Sequence, residues 1–186
     1  MKHSLFSIIT IAMLMHLNPA FATLSKAASV SDAHPISSLI GDWSDFRANI
    51  LTKTKRYDKY SDINETQVAA LPKTLVGTWQ MQSNPAKPGY QLHTELKLAP
   101  DNQFAYKYVV MAGDTRQEWD FSGHWEVKDQ ILMLLIDRST YPGEDKNEVL
   151  FWRLLHLGKS KLVLVKTGAN EMLALTRAAT GPSVLL

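Results

Sequence analysis

The chain is most constrained by eight short segments, between Thr74 and Ala178, in which apolar and polar residues alternate. This period of two is typical of strands with one buried face, and turn-forming residues separate the segments. Short strands joined by tight turns indicate an antiparallel meander, and closing eight of them into a barrel removes the exposed edges. The sequence therefore predicts an all-β fold, an eight-stranded antiparallel up-and-down barrel. Its strands are predicted at Thr74 to Ser83, Tyr90 to Leu98, Phe104 to Met111, Gln117 to Val127, Ile131 to Asp137, Glu148 to Leu157, Leu162 to Thr167 and Met172 to Ala178.

The first and last of these segments carry a second constraint. Gly77-Thr78-Trp79 lies near the start of the first predicted strand, and Arg177 lies near the end of the last one. Residues so far apart in the sequence can meet only if the first and last strands are neighbours. Closure would place the Arg177 guanidinium over the Trp79 indole, a cation–π contact worth about 0.5–2 kcal/mol. We therefore expect the pair to lie in contact at one end of the barrel, with Arg177 in a structural role.

This arrangement resembles the signature of the lipocalin-like (calycin-type) barrels, a Gly-x-Trp on the first strand and an Arg on the last. A second Gly-x-Trp in the middle of the run is often found in small bacterial lipocalin-like domains. The resemblance covers about residues 73–178 and implies a lipocalin-like binding protein. The residues that carry it are Gly77, Trp79, Gly123, Trp125 and Arg177.

The N-terminus has the pattern of a secretory signal peptide. Lys2 supplies the positive charge, Leu5 to Leu17 is an apolar run too short for a normal membrane span, and Ala20-Phe21-Ala22 is an Ala-x-Ala cleavage site. Cleavage before Thr23 would give a periplasmic or secreted protein with no membrane span; the alternative is an uncleaved anchor. The predicted division of the chain is a signal peptide at 1–22, a leader and helical extension at 23–72, and the barrel at 73–186.

Composition limits the partners. The chain has no cysteine, so an exported form must fold without disulfides and without a lipid anchor on a cysteine. Its formal net charge is +2, and removal of the signal peptide takes away Lys2. A nearly neutral protein is a poor electrostatic partner for nucleic acid or an anionic membrane, so we expect neither.

A helical pattern precedes the barrel. Apolar residues at helical spacing predict a helix from about Ser44 to Tyr57, with Asp42 or Ser44 as its cap. Trp43 and Phe46 must then be buried against the barrel or against a partner protein.

A second helix is predicted from about Ile63 to Leu71. Asp62 is its expected cap, and Pro72 is expected to stop it because proline lacks a backbone N–H. Its few apolar residues cannot stabilise it alone, so it must also pack against another element.

The alternation of side chains along each strand predicts which residues line the barrel interior. Placing Trp79 inside fixes which residues of each strand point inward, since side chains alternate between the two faces. A barrel of this size is either filled by its side chains or holds one small ligand, and the residues leave both interpretations open. Thr94, Tyr106, Tyr108 and Arg153 are polar residues that could orient a ligand in an apolar cup. The candidate ligand-binding residues are Leu92, Thr94, Leu96, Tyr106, Tyr108, Trp119 and Phe121.

Catalysis has little support in the sequence. His93, His124 and His156 are scattered and are not accompanied by cysteines or by closely spaced carboxylates, so no zinc site is predicted. No motif for a nucleophilic serine, a phosphate-binding loop or a metalloprotease occurs. We expect no enzyme, no cofactor and no metal.

The sequence thus predicts an exported protein that binds a small apolar or amphipathic ligand. The alternative is a protein-interaction or inhibitor module of the cell envelope, in which the barrel is a rigid scaffold. The extension or the Arg138–Lys146 loop would then contact the partner. An exposed apolar patch on the extension would favour this alternative, and a ligand site inside the barrel would favour the first interpretation.

Overall fold

The eight predicted strands form a closed antiparallel barrel in the computed structural model, which describes residues 35–83, 90–141, 147–168 and 172–179. Each strand pairs with its neighbours in sequence, and the first pairs with the last, so the up-and-down fold is confirmed. The signal peptide and most of the leader lie outside the described residues. The strands are β1 Gly77–Ser83, β2 Tyr90–Leu98, β3 Gln103–Ala112, β4 Thr115–Lys128, β5 Ile131–Ser139, β6 Val149–Leu157, β7 Lys161–Lys166 and β8 Met172–Arg177.

The β4–β5 pairing contains a bulge between Ser122 and Gly123. A Cβ atom on Gly123 would collide with the backbone carbonyl oxygen of Leu135 and lie 2.8 Å from the Asp137 nitrogen. A bulge bends its strand and increases the local twist. Glycine is therefore needed here because β5 approaches the backbone of β4 too closely for a side chain.

Four short helices precede β1. A first 3-10 helix, Ile36–Leu39, leads into α1, Trp43–Lys53, and a second 3-10 helix, Lys55–Tyr60, leads into α2, Glu65–Leu75. Asp42 caps α1 by accepting hydrogen bonds from the backbone nitrogens of Ser44 and Asp45, as one of the two predicted caps.

The predicted limits of the second helix are wrong at both ends. Asn64, not Asp62, caps α2, because Asn64 and Gln67 exchange the two hydrogen bonds of a capping box. Pro72 lies inside the helix, which continues to Leu75. A proline there removes one intrahelical hydrogen bond. Continuing the helix buries Leu75 completely, which offsets that loss.

The first part of the extension packs on the outer surface of the barrel. Trp43 and Phe46 contact a buried cluster in which Ile131 and Met133 of β5 take part. The ring of Phe46 lies 4.8 Å from that of Phe151 on β6. These aromatic residues thus pack against the chain's own barrel and keep part of their surface exposed.

The second 3-10 helix continues along the same surface. Tyr57 packs against Leu155 of β6 and Val165 of β7, on the outward faces of both strands. Strands β5 to β7 are therefore covered on both faces, which explains why most of their outward residues are apolar. Within the described residues, no helix has the length and apolar character needed to cross a membrane.

Candidate ligand-binding site

One end of the barrel is closed by α2, and we call it the α2 end. Leu71 and Leu75 of α2 belong to the same buried cluster as Trp79, Leu98 and Trp125. Burying this much apolar surface stabilises the contact between helix and barrel. The interior at this end is packed with side chains.

Arg177 covers the α2 end from β8, as predicted from its place on the last strand. Its Cζ atom lies 4.1 Å from the centroid of the Trp79 ring. Its Nη1 donates to the Val76 carbonyl at 2.8 Å and its Nη2 to the Thr74 carbonyl at 2.7 Å. Its Nε donates to the Lys159 carbonyl at 3.0 Å. The guanidinium thus connects the end of α2, the turn between β6 and β7, and the Trp79 indole. Its role is structural.

Gly77 is required by this arrangement. Its φ of +142° lies in a region that residues with a side chain rarely adopt, and an added Cβ would collide with Arg177 Nη1. The Trp79 Nε1 donates to the Leu75 carbonyl at 2.8 Å, and the Trp125 Nε1 donates to the Ala99 carbonyl at 2.9 Å. Both Gly-x-Trp tryptophans are therefore buried with their polar atoms satisfied.

The opposite end, where β1 joins β2 and β3 joins β4, is called here the far end. Strand register places the candidate residues in two adjacent rows across three strands. Trp79 aligns with Leu96, Tyr106 and Phe121, and Met81 aligns with Thr94, Tyr108 and Trp119. Leu92 lies one row further toward the far end, beside Val110. The structure thus brings the seven candidate residues together on the inner face of β2, β3 and β4.

Five aromatic side chains on this wall form what we call the aromatic cluster. The Tyr106 and Phe121 rings lie 5.7 Å apart, as do the Tyr108 and Trp119 rings. Tyr141 joins them, with its ring 5.6 Å from Trp119 and 6.4 Å from Phe121. Sequence reasoning missed Tyr141 because it follows β5 in a loop, where no strand periodicity indicates which way a side chain points.

Burial changes along this wall. Leu96, Tyr106 and Phe121 are buried, whereas Tyr108 and Trp119 are only partly buried, although both point inward. Tyr141, Met81 and Leu92 are also partly exposed. The aromatic cluster therefore runs from the packed interior to solvent at the far end.

Two buried polar atoms of the interior have no hydrogen-bond partner in the part of the chain that the structure describes. They are Thr94 Oγ1, on a residue with 0% of its surface exposed, and Trp152 Nε1, on one with 4% exposed. The large majority of buried side-chain polar atoms in native proteins have a partner. Their lack of one marks a place where a ligand or water could supply it.

Lys166, the last residue of β7, is a third interior polar group. It is 7% exposed, and its ammonium lies 6.0 Å from the centroid of the Trp152 ring. The sequence alone did not show that Trp152 and Lys166 point inward. Strands β6 and β7 are apolar on both faces, so their residues show no alternation from which to tell the inner face from the outer one. The signal that could have identified Lys166 is its spacing from Leu162 and Leu164, which places it on the same face.

Arg153 was expected as an interior polar residue, and this prediction is wrong. Its side chain points outward, where Nη1 donates to Thr54 Oγ1 at 3.0 Å and forms an ion pair with Asp58 at 2.7 Å. The physical reason is that the second 3-10 helix covers β6 on its outer face and supplies the partners that a buried guanidinium needs.

The titratable residues outside the barrel form ordinary ion pairs. His156 pairs with Asp62 at 2.7 Å. Glu118 contacts Lys107 and Arg116, and the hydrogen bond from Lys107, followed by that from Arg116, lowers the pKa of its carboxyl group. No group of three or more His, Cys, Asp and Glu side chains in the described ranges could hold a metal ion.

Comparison with known proteins adds little to this geometry. No family model and no curated protein matches the chain. Among solved structures, the chain is similar to the crystal structure of a "putative lipoprotein" from Shewanella oneidensis. The sequence identity is 15%, the match covers 63% of this chain and 96% of that one, and the TM-score is 0.37. A similarity of this size supports no inference about function.

Proposed function

We propose that this protein is an exported, lipocalin-like binding protein that holds a small apolar or amphipathic molecule inside the far end of its barrel. The observation that carries the proposal is the unpartnered Thr94 hydroxyl, completely buried beside an inward-facing aromatic cluster that reaches solvent. A barrel with a fully packed interior has no reason to keep such a hydroxyl without a partner.

The chemistry of the wall fits an apolar ligand. Small-molecule sites are mostly lined by apolar and aromatic side chains, with a few polar groups that fix orientation. Here Met81, Tyr108 and Trp119 provide partly exposed apolar surface, and Thr94 provides a hydroxyl in the same row. Covering that surface with a ligand would supply most of the binding free energy.

The proposal of export rests on the predicted signal peptide at 1–22. The lipocalin-like assignment rests on Gly77, Trp79 and Arg177, whose contacts at the α2 end give each residue of the signature a physical role.

The partner-binding alternative has less support. Trp43 and Phe46, which the extension had to bury, are packed against the barrel. Among the described residues, the large hydrophobic side chains that remain exposed are Tyr60 and Met172. Two isolated residues on different elements do not make an apolar docking patch.

A pair of threonine variants tests the proposal. An apolar fluorescent probe is titrated into the wild-type protein, the Thr94→Phe variant and the Thr176→Phe variant. Thr94→Phe adds volume inside the site and should abolish saturable binding. Thr176 is exposed on the outer face of β8, so Thr176→Phe should bind as the wild type does. Absence of saturable binding to the wild-type protein, or equal binding by all three, would contradict the proposal.

A further inference from the structure

Positive charge is concentrated on the outer surface of the extension. Positions 53–60, at the end of α1 and in the second 3-10 helix, hold four of the chain's 20 lysine and arginine residues. They are Lys53, Lys55, Arg56 and Lys59, and all four are exposed. The same positions contain a single acidic residue, Asp58. This stretch is therefore far more positive than the chain as a whole, whose formal net charge is +2.

The charge of Asp58 is balanced from beneath the helix. Its carboxylate accepts a hydrogen bond from Arg153 Nη1 at 2.7 Å, and Arg153 is only 6% exposed. The buried guanidinium thus compensates the one carboxylate of the stretch. The excess of four exposed cations is therefore preserved at the surface.

The second 3-10 helix directs this charge outward. Residues three apart lie above one another in a 3-10 helix. Thr54 and Tyr57 face the barrel, because Thr54 Oγ1 accepts a hydrogen bond from Arg153 and Tyr57 packs against apolar residues of β6 and β7. Arg56 and Lys59 are also three apart, so they share a different face, and that face is exposed.

Local structure does not account for all of these cations. A positive charge stabilises the C-terminus of a helix, which explains Lys53 in the last turn of α1. Lys55 and Arg56 instead begin the second 3-10 helix, where the helix dipole disfavours a positive charge. Like charges placed close together also repel each other. An anionic partner therefore explains these residues better than a contribution to folding does.

Tyr60 adds an aromatic ring beside the charges. It ends the same helix and is 52% exposed, and the ammonium of Lys59 lies 4.9 Å from the centroid of its ring. Tyrosine is enriched at the level of the lipid head groups, and clustered lysine and arginine side chains are attracted to anionic lipids. This combination of residues suits the surface of a membrane.

We propose that Lys53, Lys55, Arg56, Lys59 and Tyr60, which we call the basic face, bind the surface of a bilayer that contains anionic phospholipids. The predicted export would bring the protein to the phospholipids of the cell envelope. The nearly neutral net charge argues against such a partner only at long range. Screening at physiological salt limits the reach of exposed charges to about 8 Å, so the local excess decides at contact. The inference is independent of the ligand site inside the barrel.

The test compares vesicle binding by the wild-type protein and the double variant Lys55→Gln/Lys59→Gln. The vesicles contain phosphatidylcholine alone, or phosphatidylcholine and phosphatidylglycerol in equal parts, and bound protein is measured by sedimentation. The wild type should bind the mixed vesicles and prefer them strongly to the neutral ones. The variant should bind the mixed vesicles about 10- to 30-fold more weakly, since each lysine near an anionic surface contributes roughly fivefold.

A second double variant, Lys73→Gln/Lys97→Gln, removes the same charge elsewhere. Lys73 on α2 and Lys97 on β2 are exposed and lie outside the basic face, so this variant should bind as the wild type does. Lys55→Arg/Lys59→Arg keeps the charge and should also bind as the wild type does. Tyr60→Ser leaves every charge in place and should weaken binding, whereas unchanged binding would exclude the ring from the contact.

Three results would overturn the proposal. The first is equal binding of the wild type to both kinds of vesicle, or binding to neither. The second is an equal loss in the two glutamine double variants, which would show that net charge and not the basic face governs binding. The third comes from a single-stranded oligonucleotide titrated in parallel. If it bound more tightly than the mixed vesicles, and Lys55→Gln/Lys59→Gln lost this binding, nucleic acid would replace the membrane as the partner.

Discussion

The two ends of the barrel differ in whether their buried polar side-chain atoms have hydrogen-bond partners. At the α2 end, Trp79 and Trp125 donate their indole hydrogens to backbone carbonyls, and Arg177 donates to three. On the far-end side of the interior, the buried atoms Thr94 Oγ1 and Trp152 Nε1 have no hydrogen-bond partner among the described residues. Both ends are built from the same eight strands, so the difference lies in what the chain places over them.

This contrast indicates which end contributes more to the free energy of unfolding and which end is available for ligand binding. Helix α2 supplies apolar side chains and carbonyl acceptors to one end, and its Leu71 and Leu75 are buried there. The far end keeps aromatic side chains partly exposed. Substitutions at the α2 end should therefore lower the free energy of unfolding, and substitutions inside the far end should change binding more than stability.

The largest effect is expected from tryptophan truncation at the two ends. Trp79→Ala should lower the free energy of unfolding by about 3–5 kcal/mol, because it opens a cavity under α2 and leaves Arg177 without its ring. Trp119→Ala should cost less, because that side chain is partly exposed. Urea denaturation of both variants measures this, and equal losses would break the comparison between the ends.

A pair of arginine variants sharpens the same comparison. Arg177→Leu should lower the free energy of unfolding by about 1–3 kcal/mol, since partly buried carbonyls lose their donor. Arg116 lies at the far end, is exposed and, within the described residues, pairs with Glu118. Arg116→Leu should cost less than about 1 kcal/mol. Thermal unfolding of the two variants measures this, and a larger loss for Arg116→Leu would contradict the account.

Two buried threonines test whether the interior hydroxyl lacks a partner. Thr54→Val should cost about 1–3 kcal/mol, because Thr54 Oγ1 accepts a hydrogen bond from Arg153 and donates one to the Ile50 carbonyl. Thr94→Val has the same change of shape and should cost almost nothing, or stabilise the ligand-free protein, because it removes an unsatisfied group. A cost for Thr94→Val as large as that for Thr54→Val, in chemical denaturation, would show that its hydroxyl has a partner.

The smallest effect concerns pH. The pKa of Glu118 is lowered when the protein is folded, so its ion pairs stabilise the fold above the pKa of the unfolded chain. This contribution is lost as the pH falls through the lowered pKa. Because the site is largely exposed, Glu118→Gln should cost less than about 1 kcal/mol at neutral pH and nothing in acid. Denaturation midpoints at both pH values check this; a difference that grows in acid would have the wrong sign.

Much of the fold could be predicted because strand alternation is a local pattern, and because Trp79 and Arg177 lie on the first and last strands, which closure of the barrel makes neighbours. Parity also placed Leu96, Tyr106 and Phe121 on the inner face correctly. It failed at Arg153, whose direction depends on a helix far away in sequence that supplies Asp58 and Thr54. Pattern analysis of single strands cannot show which outer faces the extension covers.

The candidate site was predicted only in part, for a related reason. Strands β6 and β7 are buried on both faces, so their apolar residues show no alternation from which to find Trp152 and Lys166. Tyr141 lies in a loop, where side-chain direction is set by tertiary contacts with Trp119 and Phe121. The missing residues were thus those whose positions depend on the closed barrel rather than on their own segment.

The difference between the two ends is tested most directly by the indole N–H signals of the five tryptophans in a nitrogen–proton NMR spectrum. Dodecanoate, a single-chain anionic amphiphile, is added until the shifts saturate. The signals of Trp152 and Trp119 should move, because Trp119 belongs to the aromatic cluster and the Trp152 Nε1 has no partner among the described residues. Those of Trp79 and Trp125, bonded to carbonyls at the α2 end, should stay in place. No saturable shift, or shifts confined to Trp79 and Trp125, would contradict a ligand site inside the far end.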